Sequence, residues 1–384
     1  MSRLYLCHCS LVLSDRVLED AALLVEDGVI AAIGPASGKG AVEVDLGGQT
    51  LLPGIIDLHC DALEHEVEPR PNVHFPLEFA CAQADQRNAC AGVTTVYHAI
   101  AFANEELGVR NNAFAAQVVA GVNAWRPHGL VDNRVHCRYE VTDTAAPEVL
   151  LPLIEGSAMH LFSVMDHSPG QGQYKEMAAF RRFLSRKYHR TEAELDALVQ
   201  SKVEGARGAL DRARGLVSAA IAKGVATASH DDDSLAKVAN MRGLGIGISE
   251  FPINMGAALA ARESGMVTVF GAPNILRGKS QSGAMRALDA VQAGLADCLC
   301  ADYHPATLLA AVFQLPALAG ISLPEAARLV SANPARAAGL KDRGEIAVGK
   351  RADLVSVAKI QGQARAARVY SAGRLAYASG SSHA

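Results

Sequence analysis

From Leu51 onward, short apolar runs alternate with helix-patterned stretches, and eight such runs recur before residue 302. They are Gly54–Leu58, Val93–His98, Arg134–Val141, His160–Met165, Val225–Ser229, Ile246–Ser249, Val267–Phe270 and Cys298–Ala301. Helical patterns lie between them, among others at Leu77–Ala89, Glu106–Trp125, Pro147–Ile154 and Leu288–Ala293. Eight strands with intervening helices over roughly 250 residues are what a closed (β/α)8 barrel requires. A doubly wound open sheet is the competing fold, and the lack of a GxGxxG turn after the first strand counts mildly against it. The expected fold class is therefore α/β, a distorted (β/α)8 TIM-like barrel over residues 51–340.

Both ends of the chain are β-rich. Residues 1–50 read as short strands, with Asp27-Gly28 as a hairpin signal between Val17–Val25 and Val29–Ile33. Strand and turn language returns after Gly344, around a turn at Ala372-Gly373. The simplest packing joins 1–50 and 341–384 into one small β-sandwich beside the barrel. Glu176–Leu216 reads as a long, charged, helix-favouring insertion, with capping-box spacing at Thr191 and Glu194. Its basic cluster is read as a solvated helix face rather than a ligand contact.

Half the residues are apolar and 20% are charged, which supplies ample core. A net charge of −4 gives no general attraction to nucleic acid or an anionic membrane. No apolar run approaches the ~18 residues of a membrane span, and MSRLYLCHCS lacks a signal-peptide layout. The eight cysteines form no CxxC array, so a reducing cytoplasm is the expected setting. Cys7 and Cys9 flank His8, a pattern that could suggest metal, but apolar strand filling is the preferred reading.

Catalytic groups of a barrel gather at the C-terminal ends of its strands. Strand one ends in His59-x-Asp61; residues two apart on a strand share a side, so an imidazole and a carboxylate project together. Such a pair suits a divalent cation, though a His–Asp hydrogen bond closing the strand reads equally well from these residues alone. Strand two ends in His98, strand three carries Glu140, and strand four ends in Asp166-His167. Strand five ends in His230 with Asp231 to Asp233, strand six in Glu250, and strand eight in Asp302. Ligand-type residues at seven of eight equivalent places point to a metal hydrolase.

These pieces resemble the amidohydrolase superfamily. The resemblance rests on Pro53-Gly54-x-x-Asp57-x-His59, on His230 and Asp302 after their strands, and on Asn333-Pro334-Ala335 leading to Gly344-Glu345-Ile346 and Gly349-Lys350-x-Ala352-Asp353-Leu354. It implies a distorted barrel with a sandwich from both termini, and one or two divalent metals, zinc or manganese, activating water. HCDALEHEVEPRPNVHFP, MDHSPGQGQY, SHDDD, EFP, GAPNILRGKSQSG and ADYHP are similar to the diphosphatases of the carbon–phosphorus lyase pathway. That resemblance implies release of pyrophosphate from a ribose 1-alkylphosphonate 5-triphosphate. A small phosphorylated ribose and further copies of the same chain are then the expected partners. Two departures from the superfamily pattern stand out: Asp61 replaces the second histidine of strand one, and Glu250 stands where strand six would carry histidine.

The metal ligands expected on this basis are His59, Asp61, Glu140, His167, His230 and Asp302. Glu140 would bridge two ions, or else pair with Arg138. Asp302 would also accept the proton of the attacking water. Asp231 to Asp233 would orient His230 or start the next helix. His98 reads either as a substrate or supporting group or as a satisfied core histidine. A pyrophosphate leaving group needs charge neutralisation, for which Arg70 in its Pro-Arg-Pro loop, Arg277 and Lys279 are candidates. Gln171 and Ser280 would add donors. A plain turn at 169–173 and a basic surface loop at 277–279 have the same composition. The runner-up is a metal-dependent amidohydrolase acting on a cyclic amide or nucleobase, which would not need the basic loops.

Overall fold

The computed structural model describes residues 2–35, 37–70, 73–104, 111–168, 192–280 and 284–380. Among these residues fifteen strands, numbered in chain order, form two sheets. The barrel comprises β5 (Ile55–Cys60), β6 (Val93–Phe102), β7 (Asp132–Glu140), β8 (Leu161–Met165), β9 (Ala226–His230), β10 (Ile248–Glu250), β11 (Val267–Gly271) and β12 (Cys298–Cys300). Every neighbouring pair in it is parallel. The eight expected strands are all present. They were readable because parallel strands are covered on both faces and so run nearly uninterrupted in apolar residues; all ten residues of β6 are buried.

The circle is nearly closed by the main chain. Cys60 faces Asp302 across a parallel bridge, and the N–H of Asp302 donates to the carbonyl of His59 at 2.9 Å. Register then fixes which side chains look inward. Arg134, His136, Arg138 and Glu140 of β7 stand level with Tyr97, Ala99 and Ala101 of β6 on one side, and with Leu161, Ser163 and Met165 of β8 on the other. Ile56, Leu58, Tyr97, Leu161, Ala228, Ile248, Val269, Cys298 and Cys300 form one apolar cluster, drawing on seven of the eight strands and filling the barrel interior. Helices cover the outside, for example Leu77–Cys90 and Asn112–Trp125 against β6 and β7.

The chain ends build a seven-stranded mixed sheet, ordered β15-β14-β13-β4-β1-β2-β3. Its strands are β1 (Arg3–Val12), β2 (Val17–Glu26), β3 (Val29–Ile33), β4 (Val42–Pro53), β13 (Leu354–Ile360), β14 (Gln363–Ser371) and β15 (Arg374–Ala378). The sheet bends over a shared core of Leu6, Leu11, Leu23, Ile30, Leu51, Leu354 and Tyr370. The Ile30 N–H donates to the Lys350 carbonyl at 2.8 Å, tying its far edge to the segment before β13. β4 does not stop at Leu46 but runs on through Gly47 and Gly48 to Pro53, feeding straight into the barrel. Gly54 is required at that junction, since a Cβ there would meet Thr94 Oγ1 at 2.2 Å.

Of the charged insertion, helices Glu192–Gly205 and Ala209–Ala222 are described. Its first part, with Thr191 of the expected capping box, lies outside the described residues, as does Gln171 with the loop 169–173. Among the described residues, no helix is long and apolar enough to cross a membrane.

Candidate metal centre

Inward-facing polar groups accumulate at the C-terminal mouth of the barrel. His59, the last but one residue of β5, is fully covered; its Nδ1 lies 3.2 Å from Glu250 Oε1 and its Nε2 lies 3.5 Å from Asp61 Oδ1. Burial works against a charged imidazole here, but Glu250 and Asp61 outweigh it and raise His59 to about 10. Burial likewise disfavours a charged Glu250, yet His136 and His59 hold its carboxyl down to about 2. His136 faces the same carboxylate, with Nε2 at 3.8 Å from Glu250 Oε2 and at 2.8 Å from Ser163 Oγ. Its burial leaves it neutral, lowered to about 3.

A second group surrounds His230. Glu140 Oε2 lies 2.8 Å from His167 Nδ1, while Asp231 Oδ2 lies 3.7 Å from His167 Nε2 and 3.4 Å from His230 Nδ1. Thr142 Oγ1 donates to Glu140 Oε1 at 2.9 Å and steadies that carboxylate. Arg138 joins the two groups: Nη1 donates to Asp61 Oδ1 at 3.0 Å and Nη2 approaches His230 Nε2 at 3.4 Å. Glu140 therefore pairs with His167 and not with Arg138. Phe251 lies edge-on to His59, with ring centroids 5.0 Å apart, and covers the groups on one side.

Asp302 follows β12 at a φ of 55. Burial, and after it the Asp61 carboxylate, raise Asp302 to about 6. Three sets of donors converge, each within 4.8 Å: His59, Asp61 and Asp302; His167, His230 and Asp231; and His59, His136 and Glu250. The fit to divalent cations follows from this donor set, because Asp61, Glu140, Asp231, Glu250 and Asp302 lie among four histidines at one barrel mouth. It follows also from Glu250 Oε2, buried and without a hydrogen bond. A buried polar atom left so costs about 1–3 kcal/mol, which coordination would offset.

The structure thus brings together all six residues expected at the metal. Beside them stand Asp231, expected to orient His230, Glu250 of strand six and Arg138 of strand three, and the structure adds His136. His136, Arg138 and Glu140 form a period-two set on β7, and that alternation was the available signal. Asp231 turns into the site because its φ is 54; the helix Leu235–Gly243 is capped instead by Ser234, whose side chain accepts from the Lys237 N–H. Asp232 holds the hydroxyls of Ser229 and Ser249, at 2.6 and 2.5 Å. Asp166 bends back to accept from the Ser168 N–H at 3.0 Å. His98 is not at a strand end: β6 continues to Phe102, and His98 Nε2 meets Asn133 Oδ1 at 2.9 Å on the barrel's outer side.

Of the expected phosphate binders, Gln171 lies outside the described residues. Arg70, Arg277 and Lys279 are exposed and Ser280 is half-buried. Among the described residues, none of Arg70, Arg277 and Lys279 forms an ion pair with the mouth carboxylates. Arg277 ends the helix Ala272–Arg277, which starts directly after Gly271. A Cβ on Gly271 would lie 3.8 Å from Asp302 Oδ2, so that helix leaves from beside the site.

Residues 50–376 match the model of the amidohydrolase family. The α-D-ribose 1-methylphosphonate 5-triphosphate diphosphatase of Escherichia coli (strain K12) is 35% identical over 353 residues, covering 91% of this chain and 93% of that protein. Among solved structures, N-acetylglucosamine-6-phosphate deacetylase from Pasteurella multocida superposes with a TM-score of 0.65 at 14% identity, over 97% of this chain and 99% of that one. Dihydropyrimidinase from Brevibacillus agri NCHU1002 gives a TM-score of 0.55 at 13% identity, over 97% and 94%. At such identities the structural likeness speaks to fold alone.

Proposed function

The chain belongs to the amidohydrolase family, and from that premise we propose that it is a metal-dependent diphosphatase. The substrate is α-D-ribose 1-methylphosphonate 5-triphosphate or a close analogue, cleaved to the 5-phosphate and pyrophosphate. What carries the hydrolytic part of the reading is the convergence of His59, Asp61 and Asp302 beside His167, His230 and Asp231 at the barrel mouth. The substrate follows the 35% identical relative, whose likeness extends over nearly the whole of both chains.

In this reading His59, Asp61 and Asp302 would hold one zinc or manganese ion, and His167, His230 and Asp231 a second, with Glu140 as a further ligand. Bound there, the ions acidify water and neutralise charge on the attacked phosphoryl oxygen. Glu250 fixes the ring of His59 through Nδ1 and leaves Nε2 facing Asp61, the usual service of a carboxylate behind a ligating histidine. Arg138 holds the Asp61 carboxylate in place through Nη1. Asp302 would accept the proton of the attacking water on a carboxylate oxygen. Phe251 packs edge-on against the His59 ring and limits its movement. Arg70, Gln171, Arg277, Lys279 and Ser280 receive the polyphosphate, whose leaving group needs positive charge more than a proton.

Hydrolysis of a cyclic amide would use the same mouth without the basic loops. Purified protein loaded with manganese or zinc is expected to release pyrophosphate from the ribose triphosphate. Turnover of cyclic amides with no pyrophosphate released would reject the proposed substrate in favour of an amide.

A further inference from the structure

β1 breaks its own alternation. Tyr5 and Cys7 pack on one side of the sheet with Ala22, Leu24 and Ala41, whereas Leu6, Cys9 and Leu11 enter the main core on the other. The phase changes at His8, whose φ is 49. Pairing slips there on both sides, between Leu6 and Cys9 along β2 and between Cys7 and Cys9 along β4. Along β4, Leu46, Gly47 and Gly48 stand opposite His8 alone.

A bulge of this kind re-aims a side chain, and it usually places glycine or asparagine at left-handed φ. Histidine there is strained, and such strain persists only where the surroundings over-determine it. Packing does not supply that here, since the side chains of His8 and Asp45 are 62% and 59% exposed.

The bulge produces convergence. The Cys7 thiol, the His8 imidazole and the Asp45 carboxylate each offer a donor atom within 4.8 Å of the others. His8 Nδ1 lies 2.9 Å from Asp45 Oδ2, and Cys7 Sγ lies 3.8 Å from Glu43 Oε1. Asp45 stands opposite Cys7 in the parallel ladder and Glu43 opposite Tyr5, so both carboxylates share the face of the thiol. Cys9 takes no part; its Sγ donates to the Ala21 carbonyl. Strand filling accounts for Cys9 and for the burial of Cys7 in its small cluster, but not for the carboxylate and imidazole that face the Cys7 sulfur.

We propose that Cys7, His8, Glu43 and Asp45 form a second metal site, on the terminal sheet, for a divalent cation of the zinc class. One sulfur, one imidazole and carboxylates are donors that zinc accepts together and that magnesium and calcium do not favour. Binding releases the thiol proton to solvent, because the thiolate is the ligand. The ion would clamp β1 to β4, the strand that runs into the barrel at β5, and its role is structural.

The test uses the full chain, stripped of metal by a chelator and titrated with cobalt(II). The expected result is a near-ultraviolet thiolate-to-cobalt band, lost in Cys7→Ser together with one equivalent of bound metal. His8→Gln and Asp45→Asn alter only exposed side chains and are expected to weaken the band-forming site by tenfold or more. A titration without the band, or a band that persists in Cys7→Ser from another thiol, overturns the proposal. If Cys7→Ser does not fold, His8→Gln decides, and cobalt affinity equal to that of the unaltered chain counts against the site.

Discussion

The N–H of Asp61 donates to the carbonyl oxygen of Asp302 at 2.6 Å, so the first barrel strand is stitched to the residue that follows the last. The stitch fixes two carboxylates side by side, and the like charge of Asp61 is part of what pushes Asp302 up to about 6. Main-chain hydrogen bonds hold this arrangement, so side-chain substitutions can alter its charge without opening the barrel.

Asp302→Asn is the direct use of that separation. Asparagine tolerates left-handed φ about as well as aspartate, so the closure is expected to survive. A lost general base lowers kcat by roughly 10²–10⁴. The expected outcome is a fall of that size in pyrophosphate release with an unchanged thermal midpoint. An equal loss of folded protein and of activity would show that Asp302 acts through the fold.

Glu140→Gln is expected to leave dialysed protein with less bound metal, read by elemental analysis. Unchanged metal content would remove Glu140 from the site. Glu250→Gln acts differently, since Glu250 touches His59 Nδ1. Losing a carboxylate behind a ligating histidine weakens metal binding by ~10–100-fold. Competition with a chromophoric chelator measures that change.

How much of this was legible in the sequence depends on what each residue required. His59, Asp61, His167, His230 and Asp302 end or directly follow buried apolar strands, and such strands announce themselves by composition. His136 and Arg138 lie inside β7, where only a period-two reading of the strand exposes them. Asp231 was legible only as one of two alternatives, orienting His230 or starting a helix, and the choice depends on a backbone at φ 54 that SHDDD does not specify. His98 was misplaced because Ala99 to Phe102 continue β6 with no polar residue to mark an end. The bulge at His8 was invisible for the same reason: a strand's phase shows in its packing partners.

Arg277→Ala and Lys279→Ala test the substrate rather than the metal. Both side chains are exposed, so their attraction for a polyphosphate is screened by salt. The expected outcome is a higher KM for the ribose triphosphate, by about 3–10-fold per charge removed given ~1 kcal/mol per exposed contact. kcat is expected to stay constant, and the difference to shrink in high salt. KM values indifferent to both substitutions would assign the loop to the surface and favour the amide reading.

Asp132 offers a pH test of the fold away from the mouth. It begins β7 and accepts from Arg126 Nε at 2.7 Å, Arg134 Nε at 2.9 Å and Arg343 Nη1 at 2.9 Å, the last from the segment leading to β13. Burial alone would raise its pKa, but the guanidiniums of Arg134, Arg126 and Arg343 hold it well below the usual carboxylate range. A depressed acid contributes stability above its unfolded pKa of about 3.9, and that contribution is lost as pH falls toward the folded value. Asp132→Asn leaves Arg343 with Asp342 at 2.9 Å and Asp353 at 3.8 Å, so the loss at pH 7 is expected to fall below the about 3–5 kcal/mol of an isolated buried pair. In urea unfolding, the gap between the two chains is expected to be flat from about pH 8 to 5 and to narrow below about pH 4, where the native carboxylate begins to lose its advantage. A gap as wide at pH 3 as at pH 7 would mean that the shape of the side chain, and not its charge, joins the barrel to the terminal sheet.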